Sequence, residues 1–463
     1  MRSNGRSALG RCSRLALATA AAGVLASGLI TFSAGPAKAV APAKYADDFN
    51  GDGYRDYVTG GSGSFTVTYG TAGGPGSVGK TFTQDSPGIP GKSSDADTFG
   101  ESLAAADFNR DGYADVAVGD PAEKVGTRAG QGTVTIVWGS RTGLTSSATR
   151  LPLKSPRAEA GFGAFVAAGD FNGDGKPDLA VTDIHRTYVY RGGFSKSGAT
   201  GKVTTHIPNR DVTRVFQPTG LVAGKVTKDK ATDLYVLGQG EKNDRMTQAA
   251  WFLRGGAGLT AGTFTTYDKT APDWSPTGVI GDFDRNGYGD LAVSDTPYNK
   301  SAGSVVVLRG GAKGAASSYR LSQSTAGVAT AAAKDEQFGF SLSVGDTDHD
   351  GYPDLAVGVP FEKVGSAKEA GGVHVLLGGG KGLTGSRSGW FTRASGAVPG
   401  NAVSYAHFGV HVRLRDVDRD GYADLLVSDE FENYDTSVLL PSGSGGVTAS
   451  GVRELPVLAD FPQ

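Results

Sequence analysis

One nine-residue pattern, Asp-x-Asp/Asn-x-Asp/Asn-Gly-x-x-Asp, returns along this chain at nearly even intervals. It reads DFNGDGYRD from Asp48, DFNRDGYAD from Asp107 and DFNGDGKPD from Asp170, then DFDRNGYGD from Asp282, DTDHDGYPD from Asp346 and DVDRDGYAD from Asp416. The step from 170 to 282 is twice the others, and a degenerate copy fills it: KVTKDKATD from Lys225 keeps Asp229 and Asp233 but has lysine at its first and sixth places. Seven units of about 60 residues, with atypical members, specify a repeat architecture in which each unit buries its apolar face against its neighbours.

The flanks keep step with the pattern. Eight residues before the first aspartate stands an aromatic, Phe99, Phe162, Trp274, Phe338 or Phe408, followed by glycine in four of the five. After each loop comes a short apolar run (DVAVGDP, DLAVTD, DLYVLG, DLAVSD, DLAVGVP, DLLVSD), then a second that ends in a glycine turn (VTIVWGS, YVYRGG, VVVLRGG). With a weaker fourth strand, each unit reads as a four-stranded antiparallel sheet. The 72 glycines among 463 residues, without a collagen period, fit a turn-rich all-β chain, and no long amphipathic helix follows residue 40. The expectation is a seven-bladed β-propeller, with blades at about 44–95, 96–157, 158–212, 213–270, 271–333, 334–401 and 402–463. A straight solenoid would need polar capping repeats, which the sequence lacks.

Phe-Gly, then the acidic loop, then a turn of the type Gly-x-Pro (GDP at 119–121, GVP at 358–360) resembles the FG-GAP repeat of integrin α-subunit heads and of many secreted bacterial proteins. The resemblance covers residues 44 to 463. It implies that each acidic loop joins the first and second strands of a blade and binds calcium, and that the loops between second and third strands lie on the opposite, ligand-facing side. The fourth repeat departs from the motif at Lys225, Thr227 and Lys230, so no metal is expected there. The first repeat lacks the Phe-Gly pair, which leaves its first strand short and ring closure open.

The loop chemistry points the same way without the resemblance. Side chains at places one, three and five of a tight turn converge, glycine at six permits the bend, and a main-chain carbonyl at seven adds an oxygen. The expected ligands are Asp48, Asn50, Asp52, Tyr54 and Asp56; Asp107, Asn109, Asp111, Tyr113 and Asp115; Asp170, Asn172, Asp174, Lys176 and Asp178. They continue with Asp282, Asp284, Asn286, Tyr288 and Asp290; Asp346, Asp348, Asp350, Tyr352 and Asp354; Asp416, Asp418, Asp420, Tyr422 and Asp424. All-oxygen donors favour calcium over zinc or copper, and a flexible loop favours it over magnesium. Up to six ions are expected. An EF-hand is excluded, because the twelfth place is Thr59 or a valine rather than glutamate. The competing reading is a set of metal-free Asp/Asn/Gly turns.

Arg2, Arg6, Arg11 and Arg14, an apolar run from Leu15 to Phe32 and the Ala37-Lys38-Ala39 site are laid out as a secretory leader, residues 1–39, cleaved after Ala39. An uncleaved anchor is the rival reading. The sole cysteine, Cys12, leaves with the leader, so loops must be held by something other than disulfides. Expected, then, is a secreted, extracellular protein, a monomer without membrane anchor or nucleic-acid partner, that binds an extracellular protein or glycan. The long connections that share Glu-Lys-Val-Gly at 123–126 and 362–365, with Arg128 and Lys368, are the candidate ligand surface; shared ancestry alone is the competing account. The alternative function is a secreted hydrolase or lyase on the propeller's own face, marked by convergent His, Glu and Tyr at the axial mouth. No catalytic set stands out: FGES at 99–102 and FGFS at 338–341 lack the final glycine of a nucleophile elbow. His407 and His411 are expected to share a strand face, His349 to point to solvent, and the RGG triplets at 191–193, 254–256 and 309–311 to be turns.

Overall fold

Seven antiparallel sheets, each made of consecutive strands, follow one another along the chain. The structure, a computed structural model, describes residues 41–209, 213, 215–242, 245–268, 276–429 and 436–455. The leader with Cys12 and the Ala39 site, and Trp274 of the fifth repeat, lie outside the described residues. Six sheets have four strands and the first has three, Tyr57–Gly61, Ser64–Thr71 and Gly74–Phe82. The chain is an all-β, seven-bladed propeller; its one helical element among the described residues is the turn Tyr298–Ser301.

The second strand of each blade after the first reads as a continuous apolar run because both of its faces are covered. Asp115–Asp120, Asp178–Thr182, Asp354–Val359 and Asp424–Asp429 are buried at every position. The core is therefore a series of clusters between adjacent blades: Phe108, Trp138 and Phe162 pack with Val181 and Tyr190, and Phe283 and Phe338 with Leu355 and Leu376.

The Phe-Gly pairs lock these seams. Phe99, Phe162, Phe338 and Phe408 are at most 1% exposed. The glycines after them have φ between +95° and +99°, and a Cβ on Gly100 or Gly163 would stand 2.1 Å from Ser64 O or 2.5 Å from Thr133 O of the preceding blade. The serines of FGES and FGFS finish the contact: Ser102 and Ser341 donate across the seam to Gly163 O (2.7 Å) and Gly409 O (2.8 Å). They are packing residues.

The innermost strands of blades two to seven line a central channel of about 830 Å³. Blade one, without its inner strand, leaves a gap there. Asp47 fills it, paired with Arg415 of blade seven (2.6 Å) and Arg55 (3.2 Å), while Arg415 stacks over Tyr57 and donates to Asp56 O. Tyr57 also packs with Val417, Leu426 and Leu439 of the last blade. The described residues close the ring by side-chain packing, with every sheet built from strands of one repeat.

Candidate metal loops

Each acidic loop connects the first two strands of its blade, except in blade one, and all of them share a construction. The first aspartate accepts the amide of the sixth residue, as in Asp48–Gly53 (2.9 Å), Asp170–Gly175 (2.8 Å) and Asp346–Gly351 (2.9 Å). The fifth side chain accepts the amide of the seventh, as in Asp52–Tyr54 (2.8 Å) and Asp350–Tyr352 (2.9 Å). The sixth glycines, Gly53, Gly112, Gly175, Gly287, Gly351 and Gly421, all have φ between +82° and +96°. Side chains one, three and five are thereby folded over the loop's own backbone.

The ninth aspartate does a separate job. One carboxylate oxygen accepts an amide at the far end of the third strand: Gly70 to Asp56 (2.8 Å), Gly139 to Asp115 (2.8 Å), Gly255 to Asp233 (2.7 Å), Gly378 to Asp354 (2.9 Å). The other accepts the amide of the loop's second residue in these same blades, Phe49, Phe108, Val226 and Thr347. The staple persists in the degenerate fourth repeat, which explains why Asp233 survives there. Burial pushes Asp56 up to about 7, Asp115 to about 8, and Asp290, Asp354 and Asp424 to about 6, against the pull of those amides.

Charge balance distinguishes the loops. In blades six and seven no basic side chain is paired with a loop acid among the described residues, and three carboxylate oxygens gather within 4.8 Å: from Asp346, Asp348 and Asp354, and from Asp416, Asp418 and Asp420. Asp346 Oδ1 is buried and has no hydrogen-bond partner among the described residues. In blades one to three the third place is asparagine, whose amide donates to the fifth aspartate, as in Asn50–Asp52 (2.8 Å). The RGG arginines turn back onto their own loops: Arg191 on Asp178 (3.1 Å), Arg254 on Asp229 (2.9 Å), Arg309 on Asp284 (3.2 Å). The glycines are turns, as expected, but the arginines neutralise the loops, which the spacing alone did not reveal. In the fourth repeat Lys225 Nζ also donates to Lys230 O, a built-in cation.

The fourth loop residue, unremarkable in sequence, crosses to the next loop. Lys228 reaches Asn286 O (2.8 Å) and lies over Tyr288; Arg285 reaches Asp350 O (3.2 Å) and lies over Tyr352; Arg419 reaches Gly53 O and lies over Tyr54. His349 follows suit, with Nδ1 2.7 Å from Gly421 O and its ring near Tyr422, while staying exposed to solvent as expected. Tyr54, Tyr288 and Tyr352 at place seven thus stack with cations of the neighbouring loop. His407 departs from expectation: the strand begins at His411, and His407 sits in the preceding turn beside Glu369 (3.5 Å).

On the other face, Glu123 and Glu362 of the shared Glu-Lys-Val-Gly turn inward and are 6% and 7% exposed, whereas Lys124 and Lys363 are exposed. Their carbonyls accept the amides of Gly132 and Gly371, and Val125 pairs with Arg128 as Val364 does with Ala367. The shared tetrapeptide thus builds a hairpin. The channel carries Arg55, Arg413 and Arg415 with Tyr45 and Tyr57 rather than a His–Glu–Tyr set.

The family profile of the FG-GAP repeat matches residues 99–137, 162–190 and 338–376, so this seven-bladed propeller carries FG-GAP repeats in three places. It is similar to phosphatidylinositol-glycan-specific phospholipase D of Rattus norvegicus (29% identity; 29% of this chain, 17% of the relative). It is likewise similar to integrin alpha pat-2 of Caenorhabditis briggsae (39%; 22% and 9%) and integrin alpha-7 of Rattus norvegicus (34%; 32% and 12%). The chain thus spans less than a fifth of the length of these relatives.

Proposed function

We propose that this protein is a secreted, calcium-stabilised propeller that serves as an extracellular binding module for a protein or glycan. The observation that carries the metal reading is the loop of blade six: three acids within 4.8 Å, and a buried Asp346 oxygen that no group among the described residues satisfies. An all-oxygen donor set of this charge suits a hard divalent cation. Asp346, Asp348, Asp350, the Tyr352 carbonyl and Asp354 would hold it, and the corresponding residues of blade seven would do the same. The loops of blades one, two, three and five are weaker sites, since asparagine or arginine reduces their charge, and the loop of blade four takes no metal. In a chain whose only cysteine belongs to the leader, such ions take over the clamping of loops that disulfides provide elsewhere.

The leader supports export, and among the described residues no helix is long and apolar enough to cross a membrane. The binding role rests on the fold and on the integrin alpha relatives, and the phospholipase activity in the other relative's name belongs to a protein of which this chain matches 17%. Among the described residues the channel is lined by Arg55, Arg413, Arg415 and Arg419 and by neither His nor Glu, the groups that would mark the hydrolase alternative. Thermal unfolding of residues 40–463 in EDTA and in titrated calcium tests the metal reading. A ~0.1 mM site at ~2 mM free ion adds about 1.8 kcal/mol, so a clear rise in Tm is expected, with magnesium giving less. An unchanged Tm sinks it.

A further inference from the structure

Away from the acidic loops, four blades end their second strand near a buried aspartate five residues beyond the ninth loop position: Asp120, Asp183, Asp295 and Asp429. An isolated buried carboxylate is costly, and three of the four have arginine on Oδ2. Arg157 and Arg186 serve Asp183 (3.0 and 3.8 Å), Arg320 serves Asp295, and Arg393 serves Asp429 (2.8 Å). Asp120 has no such partner. Its Oδ1 accepts from the amide and hydroxyl of Thr98, its Oδ2 is buried with no partner among the described residues, and its neighbours are acids. One oxygen from each of Asp97, Asp120 and Glu123 lies within 4.8 Å of the other two, and all three residues are buried.

A second observation points to the same spot. Gln84 stands two residues after the last strand of blade one, in the sequence Phe82-Thr83-Gln84, and Gln323 and Arg393 stand in the same place after Leu321-Ser322 and Phe391-Thr392. All three are set by one turn, in which a hydroxyl of Ser86, Thr325 or Ser395 accepts the Thr or Ser amide at 2.9 Å. From this place Arg393 reaches Asp429 of the next blade, and Gln323 reaches Glu362, the counterpart of Glu123. Gln84 lies at the same spot: its side-chain amide and the Arg150 guanidinium that holds Glu123 both border Gly91. Gln84 brings no charge, is 3% exposed, and its Oε1 has no partner. Among the described residues, the basic group paired with this cluster is Arg150, held on Glu123 Oε1 (2.9 Å).

We infer that a divalent cation is bound at the seam of blades one and two by Asp97, Asp120, Glu123 and the Gln84 side-chain carbonyl, in the role that arginine fills at Asp183, Asp295 and Asp429. The donor set is all oxygen, which selects calcium, magnesium or manganese over softer metals. It is separate from the acidic loops and does not depend on them.

Crystals of the secreted chain grown with Mn²⁺ and measured for anomalous scattering give the direct test. A peak between Asp97, Asp120 and Glu123 is expected. Q84R, which transplants the Arg393–Asp429 arrangement, should abolish that peak, remove one Mn²⁺ equivalent by calorimetry, leave the loop peaks in place and raise the metal-free Tm. D120N should lose the same equivalent, which covers a failure of Q84R to fold. A seam without manganese in crystals whose loops hold it overturns the inference, as does Q84R or D120N with unchanged stoichiometry. Filled seam and empty loops would instead overturn the calcium reading of the loops and leave this one standing.

Discussion

The ninth aspartate of each loop is a backbone staple, a role distinct from the metal ligation proposed for it, and the fourth blade separates the two. Asp233 accepts the amides of Val226, Thr227 and Gly255 and the Thr227 hydroxyl in a loop that carries its own lysine cation. Removing a carboxylate that satisfies several buried donors leaves them unpaired, at roughly 1–3 kcal/mol for each lost partner. Asp233→Ala should therefore cost about 3 kcal/mol or more, equally in EDTA and in calcium. Asp348→Asn should lose much of the calcium-dependent gain and little of the metal-free stability. Urea unfolding of both variants with and without calcium checks the contrast. A second residue-scale expectation concerns pH. His374 is fully buried between Phe338 and Trp390, and burial holds it down at about 3, so it folds neutral. A depressed histidine contributes stability that is present above its unfolded value near 6.5 and is lost as pH falls below it, about 2 kcal/mol at pH 5. Glu362, raised to about 7 by burial and by Glu336, has the opposite sign: its contribution is present below 4.5 and lost as pH rises through 7. In EDTA, His374→Phe should flatten the acid limb of Tm against pH, and Glu362→Gln the limb between pH 5 and 7. An acid limb unchanged in His374→Phe would show that other groups set it.

At the scale of the element, a blade is a loop plus the strand end that returns to it, and the two were legible to different degrees. Spacing identified the acidic loops, the buried second strands and the Phe-Gly seams, because each of these is a local pattern set by backbone geometry. The arginine of Arg191-Gly192-Gly193 was invisible as a loop partner, since 13 residues and a whole hairpin separate it from Asp178. His349 and Arg285 were missed for a related reason: their partners, Gly421 and Asp350, lie on the next loop, 72 and 65 residues away. The inward Glu123 and Glu362 looked like surface because the sequence does not say which side of a hairpin faces a seam. The returning arginine leads to a test. Arg309 holds Asp284 at 3.2 Å, so a cation entering that loop competes with a guanidinium already there. Arg309→Gln should lower metal-free stability slightly and increase the calcium-dependent rise in Tm. A smaller rise than in the parent chain would mean that the arginine supports the metal site rather than occupying it.

For the whole molecule, the acid content becomes a counting device. The chain has 45 basic and 47 acidic residues, and residues 1–39, the expected leader, contain five of the bases and none of the acids, so residues 40–463 stand at −7. The six intact loops concentrate 20 of those acids on one face, where the ring brings them side by side and the crossing residues Arg285, His349 and Arg419 tie neighbour to neighbour. Like charges gathered this way oppose closure of the ring until cations join them. Each calcium adds two charges, so the sign of the molecule depends on how many loops fill. Six ions bring the chain to +5, whereas filling only the two uncompensated loops of blades six and seven leaves it at −3. Native electrophoresis near neutral pH across a calcium series therefore reads occupancy as direction. Reversal of migration requires at least four ions, so it would show that asparagine-containing or arginine-paired loops also bind. Retarded migration without reversal would restrict binding to the most acidic loops, and mobility unchanged up to millimolar calcium would leave all six as turns.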